Sequence, residues 1–378
     1  MRPKFIFVLL FFAGFAFGQK NTKTLLFVGT YTEGRPDKGI YVYEFNSQSG
    51  DLKYISDVDN IVNPSFLTVS PNGRFLYACT DSKLPQQGNV AAFKIDSLKA
   101  ALSFINKQSS GGENPVYLQV HKNNTLLVNA NYTAGNVSAY KINEDGSLNL
   151  CAQLVQFSDS SVNKSRQDKS HVHAAVFSPD NSFIFFPDLG ADKIRTFQID
   201  TGAVHPLIAR DSLDVKTIAG SGPRHFAFHP NTKFAYCIEE LSACVSVYTC
   251  KNGKLDSIQR LFSYAEKWDA YGSADIHISP DGLFLYASNR GENENTLSIF
   301  SINQHSGQLK LLGHQSTFGI HPRNFVIDPS GQFLLVANLT SGNIVVFKRN
   351  MKTGLLRKTQ KETKVPRPSC LQMRVYSR

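Results

Sequence analysis

In the stretch SGPRHFAFHP (221–230) two basic side chains, Arg224 and His225, stand side by side straight after a proline, at the mouth of a run that otherwise reads as core. A guanidinium there suits a carboxylate, a phosphate or a developing oxyanion, because its fork of donors matches such groups bidentately. The hairpin that this stretch opens ends on Glu240, a candidate base. A corresponding place near the start of other strand-like runs holds His173, in HVHAAVFSPD, and Arg323, in HPRNFVIDPS, while Arg290 closes SPDGLFLYASNR. A His that titrates near neutral pH, a Glu and three Arg are the parts of a site that binds an anion and moves a proton. Whether they meet depends on the elements that carry them.

Those elements recur. The phrase PSFLTVSPNGRFLYACT (64–80) returns as PVYLQVHKNNTLLVNAN, HVHAAVFSPDNSFIFFPD, GPRHFAFHPNTKFAYCIEE, ADIHISPDGLFLYASNR and HPRNFVIDPSGQFLLVAN. Each is an apolar strand, a tight polar turn and a second apolar strand, the signature of a β-hairpin. The turn residues fall at 71, 122, 179, 230, 280 and 329, so the period is close to fifty residues. Further strands such as GNVSAYKI and GNIVVFKR lie between the hairpins, giving about four short strands per repeat, one blade of a β-propeller. LLFVGTYT and GIYVYEF near the N-terminus supply the second and third strands of a seventh blade, and RPSCLQMRV (367–375) its first. The expected fold is therefore an all-β seven-bladed propeller over 19–378, closed by a C-terminal strand that pairs edges otherwise open to aggregation.

The repeat also groups the reactive residues. Counted from the turn residue, position minus six holds Ser65, Val116, His173, Arg224, Ala274 and Arg323, with Ser369 in the closing strand. Position plus ten holds Asp81, Tyr132, Leu189, Glu240, Arg290 and Leu339. Because the hairpin folds back, both positions reach one mouth of the central channel. His173, Arg224, Glu240 and Arg290 gather there as catalytic candidates. Arg323, Tyr132, Asp81 and Asp188, at plus nine, are in reach as substrate-binding residues. Arg224 and Glu240 alone would read equally well as an ion pair holding one hairpin. Three Arg against one Glu, however, leave buried positive charge that an anionic ligand has to share. Strand alternation turns His225 away from Arg224 and makes it structural.

Composition excludes other classes. With 42% hydrophobic and 19% charged residues the chain builds a large core. The net charge of +10 is scattered without a basic block, so no nucleic-acid partner is expected. Arg2 and Lys4, an apolar stretch from Phe5 to Phe17 and the small-x-small Ala16-Phe17-Gly18 have the layout of a secretory signal peptide over 1–18. That makes an exported protein, periplasmic or secreted, and no later run is long enough to span a membrane. There is no Cys-x-x-Cys pair, no Gly-rich loop before a helix and no third ligand for His171 and His173, so neither metal nor cofactor is expected. Cys79, Cys237 and Cys244 sit in apolar runs, where a free thiol packs as a small hydrophobe.

Taken together, FVGTYTEG, NPSFLTVSPNGRFLYA, ANYTAGNVSAY, HVHAAVFSPDNSFIFFPDLGADKI, GPRHFAFHP, SPDGLFLYASNRG and PRNFVIDPSGQFLLVAN resemble the seven-bladed propeller lactonase family over 25–375. That family includes bacterial 6-phosphogluconolactonases and fungal carboxy-muconate lactonizing enzymes. The resemblance implies opening or closing of a lactone ring on a small anionic substrate. The His, two Arg and Glu proposed as the muconate enzymes' site match His173, Arg224, Glu240 and Arg290. It leaves open whether His173 or Glu240 is the base. An export signal does not suit a phosphorylated cytoplasmic metabolite, so an unphosphorylated aldonolactone stands beside it. The other readings are a muconate cycloisomerase and a propeller that binds a ligand or protein without catalysis.

Overall fold

The computed structural model describes residues 22–32 and 38–377, and the expected signal segment 1–18 lies outside them. Seven antiparallel sheets follow one another around a ring, and six of them keep a plain four-strand order. Their innermost strands are Pro368–Ser377, Phe66–Val69, Pro115–Val120, Val176–Phe177, Pro223–Phe228, Ser273–Ile278 and Pro322–Ile327, numbered here as blades 1 to 7. Helix is confined, among the described residues, to the three-residue turn Asp211–Leu213. No helix among them is long and apolar enough to cross a membrane.

Blade 1 closes the ring as the repeat predicts. Strand Pro368–Ser377 pairs antiparallel with Thr22–Thr30, in a register running from Thr22 opposite Ser377 to Gly29 opposite Cys370. Four-stranded blades cannot bury both faces alone, so neighbours must interlock. The device repeats: Tyr77, Tyr236 and Tyr286 donate their hydroxyls to the carbonyls of Gly146, Gly307 and Gly354 in the next blade. Those three glycines have positive φ, and a Cβ on each would fall 2.3 or 2.4 Å from the ring of Phe75, Phe234 or Phe284. Only glycine admits that approach.

Blade 4 departs from the expected pattern. The run from His171 becomes a strand only at Val176–Phe177, with an isolated bridge between Val172 and Asp188 before it. Pro187 on the facing strand has no N–H to give the ladder, so the pairing lapses beside it. His173 is consequently held by one backbone bond, its N–H to the Pro187 carbonyl at 2.9 Å. Cys79, Cys237 and Cys244 are buried thiols outside any disulfide, as their apolar surroundings suggest.

Candidate active site

Register shifts place the site residues. In blades 3, 5 and 7 the pairing slips between Pro115 and Tyr117, Pro223 and His225, and Pro322 and Asn324. Val116, Arg224 and Arg323 are therefore the extra residues of β-bulges, which re-aim side chains and break the two-residue alternation of a strand. The bulge corrects the expectation for His225. Instead of turning away, its ring lies edge-on to that of His173, 5.2 Å between centres. At the other end of each hairpin the plus-ten residue is pinned by its backbone, Glu240 N–H to the Gly222 carbonyl and Tyr132 N–H to that of Asn114.

The mouth so formed is a cavity of about 370 Å³ whose wall includes His173, Glu240, Arg290, Arg323 and Tyr132. Glu240 is its central anion. Its Oε1 accepts from Arg166 at 2.5 Å, and its Oε2 from Arg224 Nε at 2.7 Å and Arg290 at 3.0 Å. Burial alone would raise its pKa, but Arg290, Arg224 and Arg166 outweigh that and hold the carboxyl far below the usual range. Such a carboxylate stays ionised and accepts a proton poorly. His173 is the opposite case. Burial first, then Arg224, His225 and Arg323, push its pKa well below 6.5, so it is neutral at pH 7, and its Nδ1 is buried without a hydrogen-bond partner.

Arg224 differs from the expectation that it faces the mouth. It is 1% exposed, lies behind Glu240 and also donates to the Ala274 carbonyl. Two further candidates sit elsewhere. Asp188 is fully buried, accepts from Arg195 at 2.8 and 3.0 Å and caps the His171 N–H, because plus nine alternates to the far side of the strand. Asp81 accepts from Asn89 at 2.7 Å and lines a separate cavity with Phe93, Phe104 and Lys107. Tyr132 is where the repeat put it, stacked on His171 and edge-on to His173.

The sequence reading missed Arg166, Lys83, Tyr31, Asn114, Tyr271 and His321, all on the cavity wall. Part of this was in the repeat. Tyr31 follows its strand as Glu240 does, and its N–H is likewise pinned, to the Arg367 carbonyl. Asn114, Gly272 and His321 share position minus eight, two residues before the one considered. Arg166 and Lys83 come from connections between strands, where no period applies. Arg290 donates to His321 Nε2 at 3.0 Å, so that ring carries its proton on Nδ1, and burial with the nearby Arg290 pushes its pKa down to about 3.

The far wall has no carboxylate among the described residues. Arg323 makes no hydrogen bond or ion pair among the described residues, and its guanidinium lies over the Tyr31 ring at 5.4 Å, with the Lys83 ammonium over the same ring at 4.3 Å. The Tyr31 hydroxyl is buried and unpartnered. Burial and the neighbouring Arg323 and Arg290 push Lys83 down to about 8. The cavity therefore divides into a wall where Glu240 neutralises guanidinium and a wall whose cationic donors meet no carboxylate among the described residues.

Residues 25–373 match the family model described as lactonase, 7-bladed beta-propeller. The chain belongs to this family. It is 47% identical over 352 residues to the 6-phosphogluconolactonase of Formosa agariphila, covering 93% of this chain and all of that one. The 6-phosphogluconolactonase of Bacillus subtilis is 34% identical over 93% of this chain and 98% of its own. Among solved structures, the periplasmic gluconolactonase of Pseudomonas aeruginosa superposes with a TM-score of 0.87 at 34% identity, covering 93% and 99% of the two chains.

Proposed function

We propose that this protein hydrolyses the lactone of a sugar acid in the cavity between His173 and Arg323. The observation that carries the reading is the division of the cavity: a neutral His beside an ionised, fully engaged Glu on one wall, and on the other cations that meet no carboxylate among the described residues. His173 takes a proton from water as the water oxygen bonds to the lactone carbonyl carbon. The oxyanion so formed is met by Arg290, which lines the cavity, while Arg224 acts from behind by holding Glu240. As the ring C–O bond breaks, His173 returns its proton to the ring oxygen. The product carboxylic acid then ionises, releasing one proton per turnover at neutral pH. Arg323, Lys83 and the Tyr31 hydroxyl hold the substrate's anionic or hydroxyl-rich end.

The likeness to 6-phosphogluconolactonases favours a phosphorylated substrate, and the Arg323 wall has donors for it. The likeness to a periplasmic gluconolactonase, together with the signal-like segment 1–18, favours export and an unphosphorylated one. A pH-stat assay on both substrate types, with wild type and Arg323→Met, separates them. If a phosphate sits on that wall, the variant loses about 10- to 100-fold in kcat/KM on the phosphorylated lactone, the worth of one or two charge-assisted hydrogen bonds, and under about threefold on the other. Equal loss on both assigns the wall to the sugar hydroxyls. No proton release by wild type from any aldonolactone overturns the proposal.

A further inference from the structure

Below the cavity floor lies a polar chain that the proposed chemistry has not used. His225 Nδ1 is 2.7 Å from Asp275 Oδ1, and Asp275 is 3% exposed. That carboxylate is an acceptor only: it also takes the Ile276 N–H on Oδ1, and His277, Asn324 and the Phe325 N–H on Oδ2. The proton between the two therefore sits on His225 Nδ1. In a neutral imidazole the other nitrogen is then an acceptor. His225 Nε2 is buried and unpartnered, and so is Nδ1 of His173. With ring centres 5.2 Å apart and the planes inclined at 64°, the two rings touch edge-on without a hydrogen bond between these nitrogens, and a small ring rotation or one water would join them. A buried ring nitrogen left unsatisfied is costly, and one proton on His173 Nδ1, given toward His225 Nε2, satisfies both.

We propose that His225 and Asp275 are positioning residues that hold His173 with its proton on Nδ1 and its Nε2 free to take a proton from the attacking water. The inference rests on the hydrolytic reading above. It supplies what that reading lacks, a negative charge on the His173 side. Arg224, Arg290 and Arg323 all oppose an imidazolium at His173, Tyr132 and His225 face its ring, and Glu240 is already engaged by three guanidiniums. Asp275 acts through His225 from beneath, as the buried carboxylate does in a Ser-His-Asp triad, without itself becoming protonated. The proton that water gives to Nε2 leaves with the ring oxygen, so His173 ends each cycle in its starting tautomer.

The test uses the full chain with Asp275→Asn, which keeps the hydrogen bond to His225 but removes the charge, and His225→Phe, which keeps a ring against Tyr117 and Phe66. Long-range 1H–15N spectra of the imidazoles are expected to show the Nδ1–H tautomer for His173 in wild type and a mixture in His225→Phe. Both variants are expected to lose about 10- to 100-fold in kcat, with KM changed less than about threefold. In Asp275→Asn the acidic limb of kcat/KM moves to lower pH, because the removed anion had raised the base's pKa. A purely structural role would lower the plateau and leave the limb in place. A wild-type Nε2–H tautomer, unchanged kcat in both variants, or a loss with an unmoved limb overturns the proposal. Absence of lactone hydrolysis by wild type with the Nδ1–H tautomer present overturns the hydrolytic reading and supports the positioning.

Discussion

Arg224 and Arg323 occupy the same place in blades 5 and 7, each the extra residue of a β-bulge after a proline, yet their surroundings are opposite. Arg224 is buried and spends its donors on Glu240 and the Ala274 carbonyl. Arg323 is part-exposed and meets only the Tyr31 ring among the described residues. The backbone bulges in the same way at both arginines. What differs is the plus-ten residue of each blade, Glu240 beside Arg224 and Leu339 beside Arg323. One carboxylate turns an arginine into part of the scaffold, and its absence leaves another available to a ligand.

The largest expected effect breaks this comparison at its buried end. Arg224→Met leaves the Ala274 carbonyl without its donor and Glu240 with two guanidiniums instead of three. It should cost about 3 kcal/mol in urea unfolding, in the range for breaking a buried ion pair, together with most of the activity. Arg323→Met should stay within about 0.5 kcal/mol of wild type. Equal destabilisation by the two would mean that Arg323 has a structural partner and is not a cation available to a ligand.

How much of this was legible in the sequence follows from the same pair. The repeat put both arginines at equivalent bulge positions, because a period of about fifty residues survives any local irregularity, and it found the ring closure at 367–375 for the same reason. Of the two, only Arg323 lines the cavity, while Arg224 lies behind Glu240. It placed His225 on the wrong side because alternation was carried straight through a bulge that only the pairing reveals. Asp188 was carried into the mouth by setting that alternation aside, since plus nine faces the far side of the strand, and Asp81 by its blade position, although Asn89 and Thr80 offer it nearer donors. Arg166 and Lys83 were invisible to a reading that counted only strands. The family resemblance added lactone chemistry to the four residues the arithmetic had selected, but not the position of Arg224 behind Glu240.

A middle-sized effect tests the imbalance of charge through pH. His173, His225 and His321 are held neutral with pKa values below that of the free side chain, the last two at about 4 and about 3, burial being the first cause in each. The unfolded chain therefore takes up protons first as pH falls. This contribution to stability is complete above about pH 6.5 and is lost as pH drops toward the folded values. His277, raised by Asp275 against the effect of burial, works in the reverse direction and partly offsets the slope. His321→Gln keeps an acceptor for Arg290 but cannot titrate. It should retain about 1 to 2 kcal/mol more of its neutral-pH stability at pH 5 than wild type does, at about 1.4 kcal/mol per pH unit for one proton. An unchanged slope would show that burial and the cations of the mouth do not hold His321 neutral.

The smallest effect separates the mouth from its surroundings. Asp81 has the plus-ten position that gives Glu240 its place, yet its carboxylate turns to Asn89 and Thr80 and lies 3.8 Å from Lys107, on the wall of another cavity. Asp81→Asn keeps the shape, and the pair it disturbs is largely exposed on the Lys107 side, where an ion pair contributes about 1 kcal/mol or less. The variant should hydrolyse lactones with kcat and KM within about twofold of wild type. A KM change confined to one substrate type would instead put Asp81 in contact with that substrate, and would mean that ring position outweighs the local hydrogen bonds in deciding what reaches the mouth.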